Sequence, residues 1–339
     1  MKRFTTTADN EPGKGILVCR CYGNRTKFER IHAQYPLKFI PTTGHADRLG
    51  VVYMLSYGGG VISGDKFDVD IRLEQDSILL LMTQGNTKIF KDKLGQRLWL
   101  ASLSELSQPT MVFSKPVEQV SGGVTSSAKA APSLQIINYH VGADAILLAI
   151  PDPVTCFRDS SFQSRQVIYL KDETSQLVLL DWFTSGRLTR GENWSFRHYS
   201  SRIDVKVGNK LVIKDAMVLD DEDYMKENDG ETAFASRLKP YNCFATLIMI
   251  SSNEAGGVLE SVETIQKKSE AMRLMPLTLK SEEDRQVLWS VSPILKNRGA
   301  LIRIAGMTTE QVRDFVKYEC LGKGLEKIVG EGMFKKVLM

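Results

Sequence analysis

Cysteine is scarce in this chain. Its 339 residues hold five, at Cys19, Cys21, Cys156, Cys243 and Cys320, too few and too scattered for a disulfide scaffold. The odd count suits a reducing compartment better than a secreted one. No apolar run approaches the roughly twenty residues that span a membrane. The opening Met1-Lys2-Arg3-Phe4-Thr5 lacks the apolar core of a secretory leader. We therefore expect a soluble, cytoplasmic protein. Histidine is equally sparse, with His32, His45, His140 and His198 far apart and none at ligand spacing from another histidine or a cysteine. Excess charge is small: a net +4, with the basic residues dispersed, argues against the concentrated stripe of a nucleic-acid surface. The nucleophile elbow Gly-x-Ser-x-Gly does not occur.

Glycine, by contrast, is concentrated at Tyr57-Gly58-Gly59-Gly60-Val61-Ile62-Ser63-Gly64-Asp65. A phosphate loop needs its glycines to open a helix. Here they feed Lys66 to Leu73, where Phe67, Val69, Ile71 and Leu73 alternate with charged residues, the pattern of a strand with one buried face. The spacing predicts a turn or bulge where backbones approach too closely for a side chain.

Strand patterns dominate the rest. Further candidates are 16–21, 51–57, 134–139, 145–150, 165–170, 177–183 and 243–251, and 28–40 reads as an extended edge containing Pro36. Ser77 to Thr83 is continuously apolar and predicts a strand buried on both faces. Ile203 to Ile213, turning at Gly208-Asn209, predicts a hairpin with a type II′ turn. Helical spacing comes late, at Val258 to Met275 and after Thr308-Thr309-Glu310-Gln311, which has the form of a capping box. We expect one mainly β domain over 1–339, frayed at 1–13, with a flexible small-residue insertion at 121–133.

Local chemistry offers alternatives rather than a catalytic constellation. Cys19 and Cys21 share a strand face and could reach one soft metal, or be a chance pair. Asp181 to Trp194, with two arginines, two acids and two tryptophans, reads either as a binding surface or as an ion-paired turn between strands. Pro151-Asp152-Pro153 makes a rigid loop whatever its role.

Taken in order, these stretches resemble the urease accessory protein UreD (UreH) family. Tyr35-Pro36-Leu37-Lys38 is similar to its early motif, and Tyr57, Gly58, Gly59, Gly60 and Gly64 to its glycine-rich signature. Thr83-Gln84-Gly85-Asn86-Thr87-Lys88 resembles the next block, and Asp152-Pro153 through Phe157, with Gln163 and Gln166, the middle. Asp181-Trp182, Gly186-Arg187 and Gly191-Glu192 resemble the later blocks. The chain departs from the pattern at Asn86, where serine is expected, and at Phe90, where tyrosine is common.

The resemblance implies a β-helix-like stack of many strands with two α-helices in the C-terminal half. It implies a non-catalytic scaffold that binds apo-urease and a UreF-type accessory protein, which recruits a UreG-type GTPase. It further implies nickel in transit through the interior, with no permanently bound cofactor. Released metal calls for oxygen or nitrogen ligands weaker than thiolates, and Asp65 and Glu192 are either acids along that route or ordinary turn acids bonded to backbone N–H groups. The competing expectation is a β-helical carbohydrate-active enzyme using Asp181 and Glu192 as acid and base.

Overall fold

The computed structural model describes residues 11–44, 46–91, 132–220, 232–252, 254–276, 279 and 286–339. In chain order the strands begin with β1 (Lys14–Tyr22), β2 (Arg25–Ala33), β3 (Leu37–Thr42), β4 (Leu49–Ser56), β5 (Lys66–Leu73) and β6 (Ile78–Met82). Next come β7 (Thr87–Ile89), β8 (Ser133–Val141), β9 (Ile146–Ala149), β10 (Val154–Cys156), β11 (Ser161–Leu170) and β12 (Gln176–Thr184). The last are β13 (His198–Val207), β14 (Lys210–Asp220), β15 (Cys243–Ile250), β16 (Val287–Ile294) and β17 (Gly299–Gly306). The α-helices are α1 (Ala233–Leu238), α2 (Gly257–Leu274), α3 (Thr309–Asp314), α4 (Gly322–Val329) and α5 (Glu331–Lys336), with a π-helical stretch at Phe315–Leu321.

The fold is mainly β, in two mixed sheets. The first runs β14-β13-β11-β8-β5-β1-β2 and the second β16-β17-β15-β12-β9-β6-β4-β3. From β4 to β13 the chain passes back and forth between them. Each arriving strand lies parallel to its predecessor in the same sheet: β5, β8, β11 and β13 in the first, β4, β6, β9 and β12 in the second. A short third ladder at one corner links Val61, β7, β10 and β12 in parallel. Antiparallel strands finish every run, through β1/β2, β13/β14, β3/β4 and β15/β17/β16.

Sequence pattern follows layer. The first sheet has one face in solvent, so β5 buries Phe67, Val69, Ile71 and Leu73 and turns its charged residues outward. The second is covered on both faces, so β6 is buried throughout. Leu79, Leu147 and Leu177 meet Val69, Ile137 and Ile168 in the core between the sheets. Leu80, Leu148 and Val178 meet Val258, Val262, Val316 and Leu325 of the helical layer in a second core. Burial of each such side chain contributes about 1.5–3 kcal/mol.

Helices α2 and α4 cross where neither has a side chain. A Cβ built on Gly257 would lie 2.2 Å from the Gly324 carbonyl oxygen, and one on Gly324 would lie 2.2 Å from the Gly257 oxygen. Gly324→Ala should therefore push the helices apart, at about 1–3 kcal/mol. The check is urea unfolding: the midpoint should fall, and an unchanged midpoint would show that the crossing yields.

Several expectations need adjustment. Gly13, inside the stretch expected to fray, is held into the fold by donating to Tyr35 O at 3.0 Å. Residues 1–10 lie outside the described residues, as do 121–131 of the expected insertion, while Ser133 already opens β8. The predicted hairpin is real, and Gly208 takes φ 55°, but its strands extend to His198 and Asp220. The capping box forms: the Thr308 hydroxyl accepts from the Gln311 N–H at 3.2 Å, and Gln311 Oε1 accepts from the Thr308 N–H at 3.1 Å. The expected second helix is divided, running through the π-helical stretch into α4 and α5, and α1 is additional. Cys19 and Cys21 form no thiolate pair. Cys19 faces the core with its thiol pushed up to about 12 by burial, and Cys21 donates to Gly23 O at 3.2 Å.

Candidate functional site

The stretches singled out from sequence converge on the corner of the short third ladder. The glycine stretch reaches it first. Tyr57–Gly59 makes one 3-10 turn, with Gly58 at φ 82° and Gly59 at φ 76°. A Cβ on either would meet nothing within 4 Å, so these glycines serve backbone conformation rather than close packing. Close approach holds at Gly60, where a Cβ would come within 2.5 Å of Lys88 O. Beside it, Val61 donates to Lys88 O at 2.7 Å and accepts from Phe90 N–H at 2.9 Å.

The next stretches stack on this one. Gly85, at φ 76°, donates its N–H to Asp152 Oδ2 at 2.7 Å, and Thr87 donates to Pro153 O at 3.0 Å. The Trp182 indole donates to Pro151 O at 2.8 Å, and β10 lies beside Phe183 and Thr184 of β12. Four blocks separated in sequence thus become adjacent turns of one corner.

Behind that corner lies an interior cavity of about 50 Å³. Its polar wall includes Thr83, Thr87, Gln135, Asp152, Gln166 and Asp181. A smaller cavity of about 30 Å³ shares Met54, Thr83, Thr87 and Gln135 with it and reaches Val61 of the glycine stretch. Asp181 accepts from the Ser201 hydroxyl at 2.5 Å and from the Gln166 amide at 3.3 Å, and the Tyr139 hydroxyl donates on to Gln166 at 3.5 Å. Burial raises the carboxyl pKa of both Asp152 and Asp181 above the usual carboxylate range. The site is therefore a largely apolar pocket, with Met54, Met82, Ile137 and Leu179 in its lining, that carries hydroxyl and amide groups and two acids drawn toward their neutral form.

Asp65 and Glu192 lie outside this wall. Asp65 closes the glycine turn, its Oδ2 accepting the Ile62 N–H at 3.0 Å. Glu192 is clasped by Arg187, whose Nε donates to Oε2 at 2.8 Å and whose Nη2 donates to Oε1, and the Arg158 N–H adds a contact at 3.3 Å. The Arg187 hydrogen bonds hold the Glu192 carboxyl below its usual range. Arg187 also stacks 3.9 Å from the Phe157 ring centroid. Gly186 and Gly191 shape this turn at φ 136° and 70°. Of the acid pair of the carbohydrate expectation, Asp181 lines the cavity, whose lining does not include Glu192.

Sequence reading did not mark Gln135, Tyr139, Ser164 or Ser201 as cavity residues. One signal was present. Along β11 the inward positions run Phe162, Ser164, Gln166, Ile168, so two polar residues interrupt an apolar face. Among the described residues, no three histidine, cysteine, aspartate or glutamate side chains gather in a metal-holding group. Among them too, no helix is long and apolar enough to cross a membrane.

Comparison with known proteins gives one consistent answer. A urease accessory protein 4 of Cryptococcus neoformans var. grubii is 28% identical, over 90% of this chain and 89% of its own length. A urease accessory protein UreD of Sorangium cellulosum is 29% identical over 90% of this chain and 78% of its own length. A urease accessory protein D of Arabidopsis thaliana is 25% identical over 94% and 99%. The family profile described as UreD urease accessory protein matches residues 11–320, so the chain belongs to the UreD family of urease accessory proteins.

Proposed function

We propose that this protein is a non-catalytic cytoplasmic scaffold of urease activation. It binds apo-urease together with a UreF-type accessory protein, through which a UreG-type GTPase joins, and nickel crosses its interior toward the urease active site. The supporting observation is the pair of adjoining cavities between the sheets, which share four residues and whose otherwise apolar lining carries Thr83, Thr87 and Gln135 in both. Carboxylates, hydroxyls and amides offer passing nickel weaker contacts than thiolates would. Nickel here is cargo, with no resident cofactor. The same reading takes the alternation of strands between the sheets as β-helix-like winding, with the corner ladder as its third face.

Asp65 and Glu192 enter this proposal as contacts outside the lining of the two cavities. Asp65 ends the stretch whose Val61 lines the smaller cavity. Glu192 can offer an oxygen to nickel only by loosening its grip on Arg187. The test is deletion of the gene in a urease-positive cell. Urease protein should persist with little nickel and little activity, and unchanged nickel content would end the proposal.

A further inference from the structure

A groove of about 770 Å³ opens where β7, β10 and β12 end. Its floor is polar: the Asn86 amide donates to Thr155 Oγ1 at 3.0 Å, and the Thr155 and Thr184 hydroxyls lie 3.0 Å apart. One wall is the Gly186–Arg190 turn and the other the approach to α3 at Met307–Glu310. Lys88 and Arg190 line it, both exposed. Among the described residues no carboxylate pairs with either, whereas Arg187 is committed to Glu192. Among the described residues Glu310 is the one acid in the lining. Leu188 and Met307, 49% and 43% exposed, supply apolar surface at the walls.

Two cations without a carboxylate partner among the described residues, over a hydroxyl floor, call for negative charge. The volume exceeds what a single small anion fills and suits several residues of chain. We propose that this groove docks an acidic segment of a partner protein. Its carboxylates meet Lys88 and Arg190, and an apolar side chain covers Leu188 and Met307. The proposal rests on the accessory reading above, since it assigns this face to one protein of that assembly.

The test uses the full chain, titrated separately against purified apo-urease and a purified UreF-type protein. Lys88→Glu with Arg190→Glu should weaken binding to one of the two by roughly tenfold or more at low salt. The other partner and the thermal midpoint should be unaffected, and high salt should narrow the difference. A Glu-rich peptide should compete with the affected partner. Equal competition by inorganic phosphate would mark a small-anion site and overturn the proposal. Wild-type binding by the double variant to both partners overturns the groove and leaves the accessory reading standing. If the wild-type chain binds neither, the accessory reading falls and the groove with it. Should charge reversal impair folding, Lys88→Gln with Arg190→Gln replaces it, and wild-type binding by that pair counts equally against the groove.

Discussion

A chain carrying Asp152→Asn and Asp181→Asn should fold and bind its partners, yet leave urease poor in nickel. The amide keeps the shape of each side chain and an oxygen that can still accept from Gly85, Ser201 or Gln166. Burial already biases both acids toward the neutral form, so a neutral replacement costs the fold little. A passing divalent cation, however, gains from a carboxylate that can ionise. Losing about 1.4 kcal/mol of favourable contact is a tenfold loss in occupancy, so nickel per urease should drop about tenfold. Metal analysis of purified urease measures this, and a wild-type nickel content would remove the cavity from the route.

The same variant has a pH signature. Each raised pKa means that the folded chain holds its proton at pH values where the unfolded chain has lost it. Stability therefore declines as pH rises through that window, above the unfolded carboxylate value. The double amide should flatten the decline.

The largest loss of stability should come from Trp194→Ala. Trp194 is fully buried at φ 54°, and its ring centroid lies between 5.7 and 6.4 Å from those of Phe183, Phe196, Phe234 and Phe244. Its indole donates to Tyr241 O at 3.2 Å, and its carbonyl accepts from the Thr232 hydroxyl at 2.6 Å. Removing the ring leaves a cavity that four rigid aromatics cannot fill, at about 3–5 kcal/mol. At roughly 2 °C per kcal/mol, the thermal midpoint should fall by on the order of 10 °C. A shift below about 2 °C would show that the aromatic cluster repacks freely.

Much of the fold was legible because burial imposes period. The alternation in β5 and the unbroken apolar run of β6 each announced the layer they occupy. Missed elements were those whose pairing is remote. β7 and β10 have three residues each and exist only because they ladder onto each other and β12. β16 and β17 were missed for another reason: they form a local hairpin, with Ile294 opposite Gly299, but β16 carries exposed Leu288 and Pro293 that hide its pattern. The site was legible as an ordered set of blocks but not as a place. Nothing in sequence shows that Gly85 bonds Asp152 or that Ser201 bonds Asp181, since both contacts depend on how separate strands come together in the fold. Glu192 shows the converse. Its neighbour Arg187, five residues away, made a paired turn readable from the start, and the pair is what forms.

The antiparallel strands that finish each run have a consequence for how the molecule is counted. A parallel stack left open would present its last strand as a template for another chain. Here the edges fall on β2, β3, β14 and β16. Pro41 and Pro293 remove donors from two of them, while Arg25, Lys27, Lys210 and Lys214 place charge on the others. Among the described strands, addition of another chain at these edges is thereby disfavoured. Protected edges of this kind keep copies of a chain from joining strand to strand into a fibre.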